Sequence, residues 1–368
     1  MNNNLRISYS SVSCFKTCPE KHYLQYILGA KSPEEGASLS FGIAIDEAIG
    51  MLLRAKRDNI LIPTIEQVQS EFEFNQVKGW EQYYDDPKLR YTKNDVDSKV
   101  FSKEDWEMIS LFEKELHCSA EDSKKAFNKK SFKKMTSEED RMYSRLGWLS
   151  LRAKGKLMIA AFCKEILPEI EKVMEVQYKF EGEISGHVLI GYLDLIAKLK
   201  GYEKPIVIDL KTAAMEYEFD SVMLSEQLRM YLAFAGNTLD THLAGFLVLL
   251  KGISTETFCK TCGNKKETNH KTCNATINGK RCNSEWTEVP KARTQKLIDE
   301  ISEDKLEDFK KDLGSVVSIM ESGLRYKNFG SCKDYHSLCP FYFLCHKGDA
   351  ESVLWKDETS KQKYLTNK

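Results

Sequence analysis

No stretch of this 368-residue chain reaches the ~18 consecutive apolar residues of a membrane-spanning helix, so no such span is expected. The opening MNNNLRISYSS lacks the apolar core of a secretory signal. A cytoplasmic location is the resulting expectation. An excess of charge is missing too: 54 Lys and Arg face 55 Asp and Glu, a net charge of −1. Contact with nucleic acid must then come from local basic patches, not from a globally cationic surface. Glycine and proline are scarce between residues 65 and 172, and that long charged stretch reads as helical. What is present is an ordinary globular mix, 42% hydrophobic and 30% charged. The length suits one large domain or two smaller ones.

Residues 7–30 read as a short helix opened by a Ser-rich cap, and 39–60 as another with Ala44, Ile45, Ala48 and Ile49 on helical spacing. Strand signals follow: 173–180 (VMEVQYKF), 187–199 (HVLIGYLDLIAKL) and 204–210 (KPIVIDL) are β-branched and apolar. Gly182, Gly186 and Gly201 are read as the turns between them. Residues 218–235 return to helical period, 242–250 (HLAGFLVLL) reads as a buried strand, and a long helix is expected over about 291–323. The order predicts an α/β or α+β core, a mixed sheet flanked by helices, with sizeable insertions. The expected division is 1–64 (N-terminal helices), 65–172 (helical insertion), 173–257 (core), 258–286 (Cys-rich insert) and 287–368 (C-terminal helix and Cys cluster).

Chemistry concentrates in IVIDLKT, 206–212. Asp209 and Lys211 are two apart on a strand and project from one face. Burying such a pair among apolar residues is costly. Asp194 is again a lone acid, in GYLDLI on the preceding strand. If these strands pair, the two carboxylates can converge on one Mg²⁺ or Mn²⁺. Such an ion neutralises a phosphodiester and acidifies a bound water. The lysine can orient that water or stabilise charge building on phosphorus. Asp-x-Lys alone is a weak motif, and the Gly-x-x-Asp strand before it strengthens it.

Clustered cysteines in a reducing compartment are more often metal ligands than disulfides. Of the eleven, Cys118 and Cys163 have no Cys or His neighbours and are read as ordinary buried thiols. Cys259-x2-Cys262, followed by Cys273 and Cys282, gives four thiolates suited to tetrahedral Zn²⁺ in a ribbon-like insert. The insert has few apolar residues, and zinc could supply ~10–16 kcal/mol of apparent folding energy instead. His270 is read as a surface residue. Lys260, Lys265, Lys266, Lys271, Lys280 and Arg281 make the insert basic: a phosphate grip, or a soluble ribbon. KKAFNKKSFKK, 124–134, places Lys124, Lys125, Lys129 and Lys130 beside Phe127 and Phe132. These lysines are candidate DNA contacts, and a solvated helix face explains them too.

In four ordered blocks the sequence resembles the PD-(D/E)XK nuclease superfamily, particularly RecB-type nuclease domains and phage exonucleases. The blocks are ISYSSVSCFKTCPEKHYLQY, GYLDLI, IDLKT and SEQLRMYLAF. The resemblance implies a restriction-endonuclease-like core. It implies Asp194, Asp209 and the Leu210 carbonyl as metal ligands and Lys211 as the catalytic lysine. Gln227 and Tyr231 would support the site or touch DNA. FGIAIDEAI, 41–49, resembles the family's first helix, with Asp46 where a histidine usually stands. Asp46 is either an oxygen ligand in its place or a solvated residue. Glu175 is either a supporting acid or a solvent-facing strand residue.

Cys18 near one end, with Cys332, Cys339 and Cys345 near the other, resembles the iron–sulfur staple of some RecB-type and CRISPR-adaptation nucleases. Four thiolates satisfy a [4Fe–4S] cluster. The Cys332–Cys339 gap is longer than usual, Cys14 is an alternative N-terminal ligand, and zinc or plain thiols are the other readings. The expected function is an Mg²⁺- or Mn²⁺-dependent deoxyribonuclease, an exonuclease or end-processing enzyme of recombination, repair or phage replication. The partner implied is DNA, with a recombinase or helicase alongside. The rival is a non-catalytic nucleic-acid-binding or assembly protein that keeps the fold. Asp46 favours the rival; the retained Asp194, Asp209 and Lys211 argue against it.

Overall fold

The computed structural model describes residues 7–74, 89–128, 135–267, 269–334 and 337–366. A five-stranded mixed sheet forms its centre: β1 (Ile170–Ile184), β2 (His187–Leu199), β3 (Ile206–Ala213), β4 (Leu243–Cys259) and β5 (Trp286–Glu300), side by side in that order. β3 and β4 are parallel, and the other neighbours are antiparallel. A parallel pair needs a crossover. Residues 214–242 supply it, with the short helix α7 (Glu226–Tyr231). The mixed α/β architecture agrees with the sequence.

Alternation assigns the two faces. Ile206, Ile208, Leu247 and Leu249 point into one core, against α2 (Ala37–Arg57) and α6 (Ser137–Ala161). Val207, Phe246, Val248 and Leu250 point into the other, against α1 (Tyr9–Thr17), α7 and α8 (Glu303–Glu321). The period-2 pattern thus places a helical layer on each face. The first layer also holds α3 (Ile65–Phe74), α4 (Lys103–Leu116) and α5 (Ala120–Asn128). A third, small core joins Leu24 and Leu28 to Phe341, Leu344 and Tyr364, tying the two ends of the chain together.

Local signals explain the N-terminal entry. Ser8 and Ser11 form a reciprocal capping box, which satisfies two helix-end donors. Ile7 bridges onto β2, donating to the Val188 carbonyl and accepting from the Ile190 N–H. At Gly191, which opens GYLDLI, a Cβ would strike the Phe180 ring.

Several expectations need correction. Residues 291–300 are strand, not helix: β5 runs along β4 to Glu300, and α8 begins at Glu303. The charged text TQKLIDE hid a strand that occupies the sheet edge, where Pro290 is tolerated. β4 is longer than expected and carries the chain up to Cys259. Gly186 and Gly201 do sit in turns, at φ of +77° and +84°. Gly182 instead lies inside β1, where a Cβ would press on Phe234. Cys118 and Cys163 are half-buried rather than buried. Cys118 follows the end of α4, and Cys163 lies on the π-helical turn Phe162–Ile166.

Candidate active site and metal centres

The β2–β3 ladder pairs Ala197 with Ile206, Ile196 with Val207 and Leu195 with Ile208, then stops. Asp194 and Asp209 are the next residues on each strand. Where backbone pairing ends, the Asp194 carboxylate becomes the acceptor: its Oδ2 takes the Leu210 N–H at 2.9 Å. The two acids are thereby held side by side at the opening of the sheet.

Asp209 is only 1% exposed. A buried carboxylate needs compensation. The Lys211 ammonium lies 2.5 Å from Asp209 Oδ2, and Gln227 Nε2 donates to Oδ1 at 3.0 Å. Gln227 also accepts from Lys211 at 3.2 Å and donates to the Tyr231 hydroxyl at 2.6 Å. The i, i+4 spacing of Gln227 and Tyr231 puts both on one face of α7. Asp209, Lys211, Gln227 and Tyr231 therefore form one connected network.

Asp46 comes from α2, on the opposite face of the sheet. Its Oδ2 accepts from Gln177 Nε2 of β1 at 3.1 Å. Burial, reinforced by Asp194, pushes Asp46 up to about 6. Burial and then Asp209 push Asp194 up to about 7. Asp209 is raised as well, chiefly by burial and against the pull of Lys211. Burial acts to lower Lys211, but Asp209 and Asp194 outweigh it and hold the ammonium protonated above its ordinary value. Asp46 lines a cavity of about 430 Å³ together with Gln177, Leu210, Lys211 and Thr212. Asp209 Oδ2 has no well-directed hydrogen bond despite the ammonium beside it. A buried carboxylate oxygen left that way, on the strand next to Asp194, fits a hard divalent cation, although the oxygens of Asp46, Asp194 and Asp209 do not all come within 4.8 Å of one another.

Gln177, which no sequence motif marks, lines this cavity. Glu175 was the acid singled out on that strand, but it faces Arg57, 3.6 Å away, and not the cavity.

The four insert cysteines converge. Cys259 and Cys282 sulfurs lie 3.6 Å apart, as do those of Cys262 and Cys273, and all four lie within 4.8 Å of one another. Zn–S bonds of about 2.3 Å place tetrahedral sulfurs about 3.8 Å apart. The Cys262 and Thr261 N–H groups hold the Cys259 thiol down at about 6. Gly263, at φ +70°, makes the knuckle turn. His270 is exposed, and its carbonyl accepts from Trp286 Nε1 at 2.9 Å. Lys260 and Lys265 pair with Glu285 and Glu256.

Cys18, Cys332, Cys339 and Cys345 line one small cavity. The Asn328 N–H points at Cys18 Sγ at 3.4 Å. Among the described residues only the insert set brings its ligand atoms within 4.8 Å, so the terminal sulfurs are more widely spread. Cys14 does not line that cavity; its thiol lies 4.0 Å from Gln25 Oε1. Lys124 and Lys125 lie on α5, Lys125 pairs with Glu121, and Phe127 stacks on Tyr143 of α6 at 3.8 Å between ring centres. Lys129, Lys130 and Phe132 lie outside the described residues.

Two paired acids and a lysine lie at the opening of a mixed sheet, with a glutamine–tyrosine helix behind them. A family model of the PD-(D/E)XK nuclease superfamily matches residues 6–346, and the chain belongs to that superfamily. No curated protein matches the chain significantly. One solved structure similar to it, from Eubacterium rectale, is named "Putative exonuclease"; identity is 10%, coverage 61% of this chain and 71% of that one, and the TM-score 0.28. Nuclease chemistry in this superfamily uses divalent metal ions. Among the described residues no helix is long and apolar enough to cross a membrane.

Proposed function

We propose that the chain is an Mg²⁺- or Mn²⁺-dependent deoxyribonuclease, acting as an exonuclease or end-processing enzyme in recombination, repair or phage replication. The observation that carries this reading is the Asp194–Asp209–Lys211–Gln227 network at the end of the β2–β3 ladder. Asp194, Asp209, the Leu210 carbonyl and Asp46 would hold the ion. A bound divalent ion would neutralise the scissile phosphate and acidify a water.

The chain's own groups do the rest. Lys211 is held protonated by Asp209 and Asp194, so it donates hydrogen bonds rather than acting as a base. It can orient the attacking water and balance charge that develops on phosphorus. Gln227 fixes the rotamers of Asp209 and Lys211 together, and Tyr231 anchors Gln227.

The same reading assigns Zn²⁺ to Cys259, Cys262, Cys273 and Cys282, supported by their sulfur spacing. It assigns a [4Fe–4S] cluster to Cys18, Cys332, Cys339 and Cys345, supported by four thiols around one cavity. Residues 65–172 and 258–286 are read as insertions into the nuclease core. Labelled linear and circular DNA incubated with the protein and Mn²⁺ tests the reading. Cleavage by wild type and none by Asp209→Ala is expected; equal cleavage by both would refute it.

A further inference from the structure

β1 changes register just before the site. Val173 pairs with Ala197, but Glu175 pairs with Ile196, so one extra residue is inserted between them. Continued without that bulge, the register would set Val176 opposite Asp194. With it, Val176 faces Leu195 and Tyr178 faces Leu193, and Gln177 stands opposite Asp194. Bulges of this kind re-aim side chains and collect beside active sites.

The backbone of Gln177 supports the same conclusion. Its φ is +53°, in the left-handed region that residues other than Gly, Asn and Asp rarely adopt. A long, unbranched residue held there inside a strand is a local outlier that points to function. The outlier turns the side-chain amide toward α2, where it donates to Asp46 Oδ2. It engages only that oxygen of the carboxylate and leaves Oδ1 for another partner. The bond selects among the few staggered rotamers that a helix leaves open to Asp46.

On the footing that Asp46 binds the metal as read above, we propose that Gln177 is a positioning residue that fixes the Asp46 carboxylate for metal ligation through the bulged, left-handed turn of β1. Partners that orient metal ligands typically change metal affinity 10–100-fold when removed. Glycine at position 177 would lose the amide but relieve the backbone, whereas asparagine is at ease in the left-handed region and keeps a shorter amide. Stability and metal affinity should therefore separate.

Mn²⁺ binding to the full-length protein, without DNA, tests this by titration with electron paramagnetic resonance, alongside thermal melting. Gln177→Gly should bind Mn²⁺ about tenfold or more weakly, yet melt no lower than wild type. Gln177→Asn should recover part of the affinity. In an Asp46→Ala background Gln177→Gly should cost nothing further, because Gln177 acts through Asp46. Wild-type affinity in Gln177→Gly, or an equal loss in both backgrounds, would overturn the role of Gln177 while leaving the metal site intact. A wild-type protein that binds no Mn²⁺, or one that Asp209→Ala does not weaken, would overturn the site and this role together.

Discussion

The Asp194 carboxylate accepts the backbone N–H of Leu210, the residue between Asp209 and Lys211, at 2.9 Å. One side chain thereby takes over from the β-ladder at the point where the ladder ends. It ties the Gly-x-x-Asp strand to the Asp-x-Lys strand and keeps both acids on one site.

Lys211→Met should lower kcat by about 10²–10³-fold, the usual cost of losing one preorganised charge donor. Mn²⁺ affinity should not fall, since a cation beside the acids is removed. Single-turnover cleavage together with Mn²⁺ titration checks this. A parallel loss of metal binding would mean that Lys211 acts by holding the acids in place.

The metal-free protein should lose stability as pH rises from about 4 to about 7. Unfolded aspartates release protons near 3.8, whereas folded Asp46 and Asp194 keep theirs up to about 6 and about 7. The folded state thus binds more protons across this window, and stability falls with rising pH. Melting in chelator from pH 4 to 8 should show the decline, and Asp194→Asn should flatten it. Mn²⁺ at a hundred times its Kd should restore about 2.7 kcal/mol at pH 8.

One zinc per chain is expected, and Cys273→Ser should remove it. The insert would then become sensitive to protease between residues 258 and 286. The main cooperative melt should move little, because β4 and β5 pair continuously from Leu243 to Leu250 within the core. Metal analysis with limited proteolysis reads both outcomes. Zinc retained by the variant would reject the four-thiolate assignment.

Protein prepared without oxygen should carry the broad visible absorbance of an iron–sulfur cluster, and Cys339→Ser should abolish it. Loss of the cluster should also lower the melting temperature, because it would join Cys18 to cysteines 332–345 beside the small core that ties the chain ends. Full absorbance in Cys339→Ser would exclude that residue as a ligand.

Much of the site could be read from the sequence because its parts are local. IVIDLKT and GYLDLI each carry an acid whose apolar surroundings mark it, and Gln227 and Tyr231 lie one helical turn apart. What the text did not show depends on pairing between distant segments. TQKLIDE looks helical until β4 is laid beside it. Glu175 is the acid that stands out on VMEVQYKF, whereas the bulge that brings in Gln177 is a property of the β1–β2 register, not of the residues themselves. Gly182 reads as a turn, but its smallness serves the close approach of Phe234.

Metal-dependent hydrolysis of labelled DNA by wild type and Asp209→Asn, with Mn²⁺ binding measured on both, tests the central claim most directly. The account predicts phosphodiester cleavage by wild type only with Mg²⁺ or Mn²⁺, and loss of both cleavage and tight Mn²⁺ binding in Asp209→Asn. Cleavage that persists in Asp209→Asn, or that proceeds unchanged in chelator, would contradict it.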